Sequence, residues 1–160
     1  MKKHRVAIGS DHAAFALKDA LVKELRAAGM QVEDVGAPST DSVDYPDFAS
    51  LVAARVVART SDRGILLCGT GIGMSIAANK FPGIRAAVCH DVTTARLARL
   101  HNDANVLCLG GRIIGYAVAS DIVRTWLGTE FEGGRHKGRI EKIEALETVR
   151  PGMAPKETKA

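Results

Sequence analysis

A cysteine followed by alternating glycines is the feature of this sequence that most clearly could carry out chemistry. Cys68 ends an apolar run, and Gly69, Gly71 and Gly73 follow it where a helix is expected to begin. Glycines leave backbone N–H groups uncovered, and at a helix N-terminus such groups bind an anion or a developing oxyanion. The same position favours the thiolate form of a cysteine, which acts as a base or a nucleophile. The alternatives are a tight turn that needs glycine only for packing, and a buried structural cysteine.

This turn differs from the common phosphate-binding loops. No Gly-Lys-Ser/Thr follows it, and Met74 stands where a dinucleotide fingerprint would carry its last glycine. The three cysteines are an odd number at wide spacing, which fits neither a disulfide framework nor a C-x-x-C zinc site. Cys89 and Cys108 lie in apolar runs and are predicted to be structural. We therefore expect a reduced, cytoplasmic protein.

Two polar segments and three arginines could complete a binding site. Asp11 and His12 follow the first apolar run, although Asp11 could simply cap a helix. His101 and Asn102 stand where a helix ends, and a histidine there could merely favour the negative end of the helix dipole. Guanidinium groups suit phosphate, with a solvated basic turn as the alternative; the arginines in question are Arg112, Arg135 and Arg139.

Apolar runs that alternate with helical patterns are expected to position these residues. Strands are predicted at 5–9, 31–35, 64–68, 84–89 and 105–109, with a helix after each and a last helix over 137–148. This alternation predicts an α/β protein, a doubly wound three-layer αβα sandwich with a five-stranded parallel sheet and a C-terminal helix. We expect the flavodoxin-like strand order 2-1-3-4-5, in which ligands bind beyond the carboxyl ends of strands 1 and 3. Asp11, His12 and the glycine turn follow those two ends.

Length, composition and charge exclude several classes of protein. The 160 residues are 46% hydrophobic and 25% charged, which indicates one globular domain, expected over residues 1–149 with a flexible tail at 150–160. A net charge of +4 and 4% aromatic residues argue against nucleic-acid binding. No apolar stretch approaches the ~18 residues of a membrane span. A small anionic metabolite remains open as the ligand.

Taken together, the motifs resemble the ribose-5-phosphate isomerase B family, which also includes the galactose-6-phosphate isomerase subunits. The resemblance covers roughly the first 148 residues, in order and without a large gap. The matching segments are Gly9-Ser10-Asp11-His12, Asp44-Tyr45-Pro46, Cys68 to Gly73, Ile76 to Lys80, His101 to Val106, and Gly133-Gly134-Arg135-His136.

This resemblance implies an aldose–ketose isomerase that acts through an enediolate, with no metal and no organic cofactor. It implies that Cys68 is the base, that Thr70 assists it, and that His101 is the acid that opens the sugar ring. Another branch of the family has a glutamate base at the position of Met74. This chain has Cys68 and no glutamate at position 74, so it resembles the branch that uses a cysteine base. The resemblance also implies an anion hole at Gly69, Gly71, Ile72 and Gly73, and substrate contacts from Asp11, His12, Tyr45, Asn102, Arg112, Arg135 and Arg139, the last two being the expected phosphate clamp.

The predicted topology separates two of these groups within one chain. Helices of a doubly wound sheet run antiparallel to its strands, so His101 at a helix C-terminus should lie far from Cys68. We therefore predict a homodimer in which His101 and Asn102 complete the neighbour's site, with a tetramer left open. The expected substrate is ribose 5-phosphate or ribulose 5-phosphate. The alternatives are a hexose or tetrose phosphate, and a non-catalytic module that binds a nucleotide or flavin.

Overall fold

Short apolar runs form a parallel sheet of five strands in the computed structural model, which describes residues 3–148. The strands are β1 (Arg5–Ser10), β2 (Gln31–Asp34), β3 (Arg63–Cys68), β4 (Ala86–Val88) and β5 (Val106–Gly110). The helices are α1 (Phe15–Ala27), α2 (Tyr45–Val57), α3 (Ile72–Ala78), α4 (Val92–Asn102), α5 (Tyr116–Gly128) and α6 (Lys137–Leu146). Single 3-10 turns precede α1 and α6, at His12–Ala14 and Gly134–His136. The predicted tail, residues 150–160, lies outside the described residues.

The predicted α/β class with a parallel sheet is confirmed, whereas the predicted order of the last two strands is wrong. The order is β2-β1-β3-β5-β4, so that β5 and not β4 pairs with β3. All five residues of β5 are buried, as a central strand requires. The three residues of β4 are only half-buried, which suits the edge of the sheet.

Two apolar cores cover the two faces of this sheet. On one face, α1, α4 and α5 bury residues such as Leu21, Ala95 and Ile122. On the other face, α2 and α3 bury Val52 and Ala78 among others. Right-handed crossovers explain the division, because connections that step along the sheet in opposite directions place their helices on opposite faces. Among residues 3–148, no helix has the length and apolarity needed to cross a membrane.

The carboxyl ends of β1 and β3 lie side by side, as the sequence predicts. Ser10 is in register with Leu67, and the Asp11 N–H donates to the Leu67 carbonyl oxygen at 3.2 Å. The residues that follow these two strands therefore meet at one edge of the sheet, which we call the carboxyl edge. The end of α4 lies toward the opposite, amino edge, where Asp103 contacts Arg85 just before β4.

Candidate active site

The glycine turn places the Cys68 sulfur among backbone N–H groups. Cys68 is the last residue of β3 and is 4% exposed. The Gly71 N–H donates to the Cys68 Sγ at 3.1 Å, so negative charge on the sulfur would meet a donor. Gly71 has a φ of 79°, and a Cβ there would lie 3.0–3.2 Å from backbone atoms of Leu109. Both observations explain why the sequence needs glycine at this position.

The amides of the turn divide into engaged and free groups. Besides the Gly71 N–H, the Ile72 N–H is engaged, since it donates to the Thr70 Oγ1 at 3.3 Å. The N–H groups of Gly69, Thr70 and Gly73 have no acceptor in the described part of the chain. These three amides at the start of α3 can receive an anion.

Tyr45 and Arg112 flank the turn, and the close packing around it involves two of its glycines. A Cβ at Gly73 would lie 2.7 Å from the Cζ of Tyr45, so the tyrosine ring rests on this glycine. A Cβ at Gly69 would lie 3.4 Å from the Cδ of Arg112. The Arg112 N–H also donates to the Gly69 carbonyl oxygen at 3.0 Å, which fixes the arginine beside the turn.

Asp11 and His12 lie next to the turn and organise the loops around it. The Asp11 Oδ1 accepts from the Ala13 N–H at 2.9 Å, so the capping interaction considered above does occur. The His12 Nδ1 accepts from the Val43 N–H at 3.2 Å, which ties the loop before α2 to this edge. The structure thus brings both residues to the same place as Cys68.

The other two cysteines are chemically distinct from a candidate base. All three cysteines are free and buried. Burial raises the pKa of the Cys89 thiol to about 11. Burial also raises the pKa of Cys108, in the middle of the sheet. Both side chains therefore stay thiols at neutral pH, as their predicted structural role requires.

The remaining predicted site residues form a second group, which the structure does not bring to Cys68 within one chain. His101 and Asn102 end α4, and Arg135 and Arg139 lie in and just after the last 3-10 turn. The chain after α4 reaches the amino edge, where the Gly64 N–H donates to the Asn105 carbonyl oxygen. Gly64 and Cys68 are four residues apart along β3, which places the two edges about 13 Å apart.

Two residues that the sequence analysis missed surround His101. The imidazole rings of His101 and His136 stack, with centroids 4.4 Å apart and an interplanar angle of 9°. The Glu132 Oε2 lies 3.8 Å from the His101 Nε2 and 3.6 Å from the His136 Nε2. No local pattern reveals this cluster, because Glu132 and His136 follow His101 by about a fifth of the chain.

An arginine pair fixes the chain directly after His101 and Asn102. Asp103 has a φ of 44°, and its carboxylate accepts from Arg99 at 2.7 Å and from Arg85 at 2.9 Å. Arg99 is 1% exposed and lies over the ring of Trp126. Asp103 directly follows α4 and stands four residues after Arg99, and this spacing is the signal that could have predicted the pair.

His101, Glu132 and His136 form the one group in residues 3–148 whose ligand atoms could surround a metal ion. Their geometry does not suit one. The two rings are nearly parallel, and the lone pair of each nitrogen lies in its own ring plane, so the pairs do not converge on one point. In addition, the Arg135 Nε donates to the His136 Nε2 at 3.4 Å, which places a cation where the metal would bind.

Comparison with known proteins supplies the context for this geometry. The Ribose/Galactose Isomerase family matches residues 6–143. Ribose-5-phosphate isomerase B of Escherichia coli is 51% identical over 150 residues, covering 94% of this chain and 99% of that protein. D-erythrulose-4-phosphate isomerase of Pectobacterium atrosepticum is 47% identical over 139 residues, covering 86% and 91%.

Solved structures agree with these relatives. Ribose-5-phosphate isomerase B of Clostridium thermocellum superposes with a TM-score of 0.88 at 53% identity, covering 89% of this chain and 96% of that one. The enzyme of Mycoplasma genitalium with bound ribulose-5-phosphate gives a TM-score of 0.88 at 44% identity, covering 91% and 97%. These matches confirm the resemblance seen in the motifs. The chain belongs to the ribose/galactose isomerase family.

Proposed function

We propose that this protein is an aldose–ketose isomerase that interconverts ribose 5-phosphate and ribulose 5-phosphate. The observation that carries the proposal is the Cys68 sulfur at the carboxyl edge, beside three free amides, in a chain of this family. Proton transfer next to a carbonyl needs a base and a site for the resulting oxyanion. The glycine turn supplies both within a few residues.

In the proposed mechanism, Cys68 acts as a thiolate and removes a proton from C2 of the open-chain aldose. The electron pair moves into a C1–C2 double bond, which gives an enediolate. The amides of Gly69, Thr70 and Gly73 stabilise its oxygens, and loss of one such donor costs about 3 kcal/mol in oxyanion holes. The Thr70 hydroxyl lies in the same turn and assists the transfer between the two oxygens. Cys68 then returns the proton to C1, which gives the ketose.

Substrate binding is assigned to the side chains that flank the turn. Tyr45 and Arg112 lie against two of its glycines, and Asp11 and His12 lie beside it at the end of β1. Arginine suits phosphate because its planar donors match the phosphate oxygens. Arg135 and Arg139 are assigned to the phosphate as well, from the resemblance, and they share the amino-edge group with His101.

We propose that the active unit is a homodimer in which His101 and Asn102 complete the site of the neighbouring subunit. The separation of about 13 Å between the two edges supports this arrangement. Apolar surface beside the turn supports it as well, since Ile72 and Ile76, one helical turn apart on α3, are 54% and 58% exposed. A second copy would cover such residues. Pairing of dimers into a tetramer stays open. The free cysteines support a cytoplasmic location.

A panel of substrates tests the reaction and its chain-length preference. Four-, five- and six-carbon aldose phosphates are assayed for ketose formation in the presence of a chelator. We expect the highest kcat/KM with ribose 5-phosphate, and loss of turnover in Cys68→Ala. Cys89→Ala is the matched control, because the pKa of about 11 keeps that thiol neutral. Its turnover should persist.

Other outcomes of the same panel would contradict the proposal. Preference for the four-carbon substrate would assign the activity of the Pectobacterium relative, which is 47% identical. Full turnover in Cys68→Ala would exclude the cysteine mechanism. No turnover with any sugar phosphate, together with a retained nucleotide or flavin, would favour a non-catalytic binding module. Turnover abolished by the chelator would exclude a metal-free reaction.

Subunit mixing tests the shared site. Cys68→Ala and His101→Ala chains are each expected to be inactive as homodimers. In a mixed dimer, one site combines an intact Cys68 with an intact His101. Mixing under conditions of subunit exchange should therefore restore part of the activity. No recovery, with exchange confirmed by tagged subunits, would refute sharing.

A further inference from the structure

We propose that His136 is a positioning residue for His101, whose imidazole it holds flat against its own buried ring in the orientation needed to open the sugar ring. This inference rests on the proposed function, because it takes His101 as the group that opens the ring. It assigns a task to His136, which the mechanism above does not use.

The two imidazole rings lie face to face. The centroids are 4.4 Å apart and the planes differ by 9°, which is a face-to-face contact. His136 is 4% exposed, whereas the His101 side chain is 37% exposed. One ring is therefore held by the protein and the other is available to a substrate. A fixed neighbour restricts the rotation of the accessible ring.

Hydrogen bonds attach the segment before His136 to α4. The Glu132 N–H donates to the Leu100 carbonyl oxygen at 3.1 Å, next to His101. The Arg99 Nε donates to the Thr129 carbonyl oxygen at 3.2 Å. Two hydrogen bonds thus tie residues 129–132 to the last turn of α4. The distance between the two rings is fixed by backbone contacts as well as by stacking.

Charged groups surround the two stacked rings. Burial lowers the pKa of His136, and the nearby His101, Arg135 and Arg139 lower it further, while Glu132 opposes them. The Arg135 Nε also donates to the His136 Nε2, which is therefore an acceptor. A neutral His136 therefore adds no positive charge beside His101. The Glu132 Oε2 lies 3.8 Å from the His101 Nε2, on the same side of the stacked pair as the His136 Nε2 that it also approaches.

Sugar chemistry provides a way to measure ring opening apart from proton transfer. Ribose 5-phosphate closes a ring through its O4 hydroxyl and must be opened. Ribulose 5-phosphate cannot close the corresponding ring, because its O5 carries the phosphate, so it reaches the site in open form. Exchange of its C1 proton with solvent deuterium requires Cys68 but no ring opening. Ring opening is needed only for turnover of the aldose.

The experiment compares aldose turnover with C1 exchange in three variants. His101→Ala should lose about 10²- to 10⁴-fold in aldose turnover, the usual effect of removing a general acid, and should keep C1 exchange. His136→Ala should lose about 2- to 10-fold in aldose turnover, the effect expected from an aromatic stack, and should also keep C1 exchange. His136→Phe retains a flat ring and should restore aldose turnover. Urea unfolding shows whether each variant is folded.

Each outcome separates this inference from the proposed function. If His101→Ala reduces both reactions equally, ring opening by His101 is refuted, and the role of His136 with it. If His101→Ala behaves as expected but His136→Ala leaves aldose turnover unchanged, only the positioning role is refuted. Equal losses of both reactions in His136→Ala, or no rescue by His136→Phe, would indicate a structural role and would also overturn the inference.

Discussion

Replacement of Gly71 by alanine should destabilise the protein and displace the candidate base. The residue has a φ of 79°, and the left-handed region costs a residue with a Cβ about 1–2 kcal/mol. The new Cβ would also lie 3.0–3.2 Å from three backbone atoms of Leu109, which cannot rotate away. Such overpacking costs about 1–3 kcal/mol. The expected loss in the free energy of unfolding is therefore about 2–5 kcal/mol.

Gly83→Ala is the matched control for this change. Gly83 has a φ of 82°, but nothing lies within 4 Å of the position of its Cβ. It should lose only the backbone contribution of about 1–2 kcal/mol. Urea unfolding of both variants, with the midpoint and slope compared with those of the unmodified chain, measures the difference.

Activity provides the second measurement on the same pair of variants. The Gly71 N–H is the donor to the Cys68 Sγ at 3.1 Å, so a shift of this residue moves the sulfur. A misplacement of about 1 Å can cost about 10²-fold in rate. Gly71→Ala should therefore lose aldose turnover far beyond Gly83→Ala under folded conditions. Equal unfolding free energies and equal turnover for the two variants would refute the reasoning.

Three further predictions follow from buried ionisable groups. At about neutral pH, an alkylating reagent should modify Cys68 of the native protein before Cys89, whose pKa is about 11. Peptide mass spectrometry measures both rates of modification. Equal rates would contradict the assignment of Cys68 as the reactive cysteine. Asp103→Ala leaves the buried Arg99, which is 1% exposed, without its carboxylate partner. This change should lower the free energy of unfolding by about 2–3 kcal/mol. A loss below about 0.5 kcal/mol would show that the ion pair is not needed for stability. Burial lowers the pKa of His4 in the folded chain. As the pH falls, the unfolded chain therefore binds a proton at His4 before the folded chain does. The contribution of neutral His4 to stability is thus complete above about pH 6.5 and is lost below it. His4→Gln should flatten the dependence of the urea midpoint on pH across this range, and an unchanged dependence would exclude His4 as its source.

Local sequence signals were sufficient for the elements and for the carboxyl edge. The apolar run that ends at Cys68 forms β3, and α3 begins at Ile72 within the glycine turn. Asp11 and His12 meet this turn because neighbouring parallel strands end at the same edge. Tyr45 was placed in the site by resemblance alone, and the structure puts its ring on Gly73.

The order of the last two strands could not be obtained from alternation alone. Every right-handed strand–helix–strand unit looks alike in sequence, whichever side of the sheet it extends. A relevant signal was present, since the run from Val106 to Gly110 is apolar throughout whereas Arg85 precedes a short run at β4. The fully apolar run favours an inner position in the sheet for β5, and the short run after an arginine favours an edge position for β4.

The cluster around His101 was missed for a different reason. Its partners Glu132 and His136 lie on another segment, and only tertiary packing brings that segment to α4. Pattern analysis detects neighbours at fixed spacing along one element. It does not detect the stack of His101 on His136, because these residues are about 35 positions apart in the sequence.

The contact between the Gly71 N–H and the Cys68 sulfur has a consequence for the energetics of the proposed reaction. In the proposed mechanism, the same short stretch of backbone would serve the anionic base and, through its free amides, the anionic intermediate. One unit of negative charge would then move over a few ångströms from the sulfur to the intermediate, and the same backbone amides would surround it before and after the transfer. The surroundings would need little reorientation for such a transfer, which suits a small rigid scaffold.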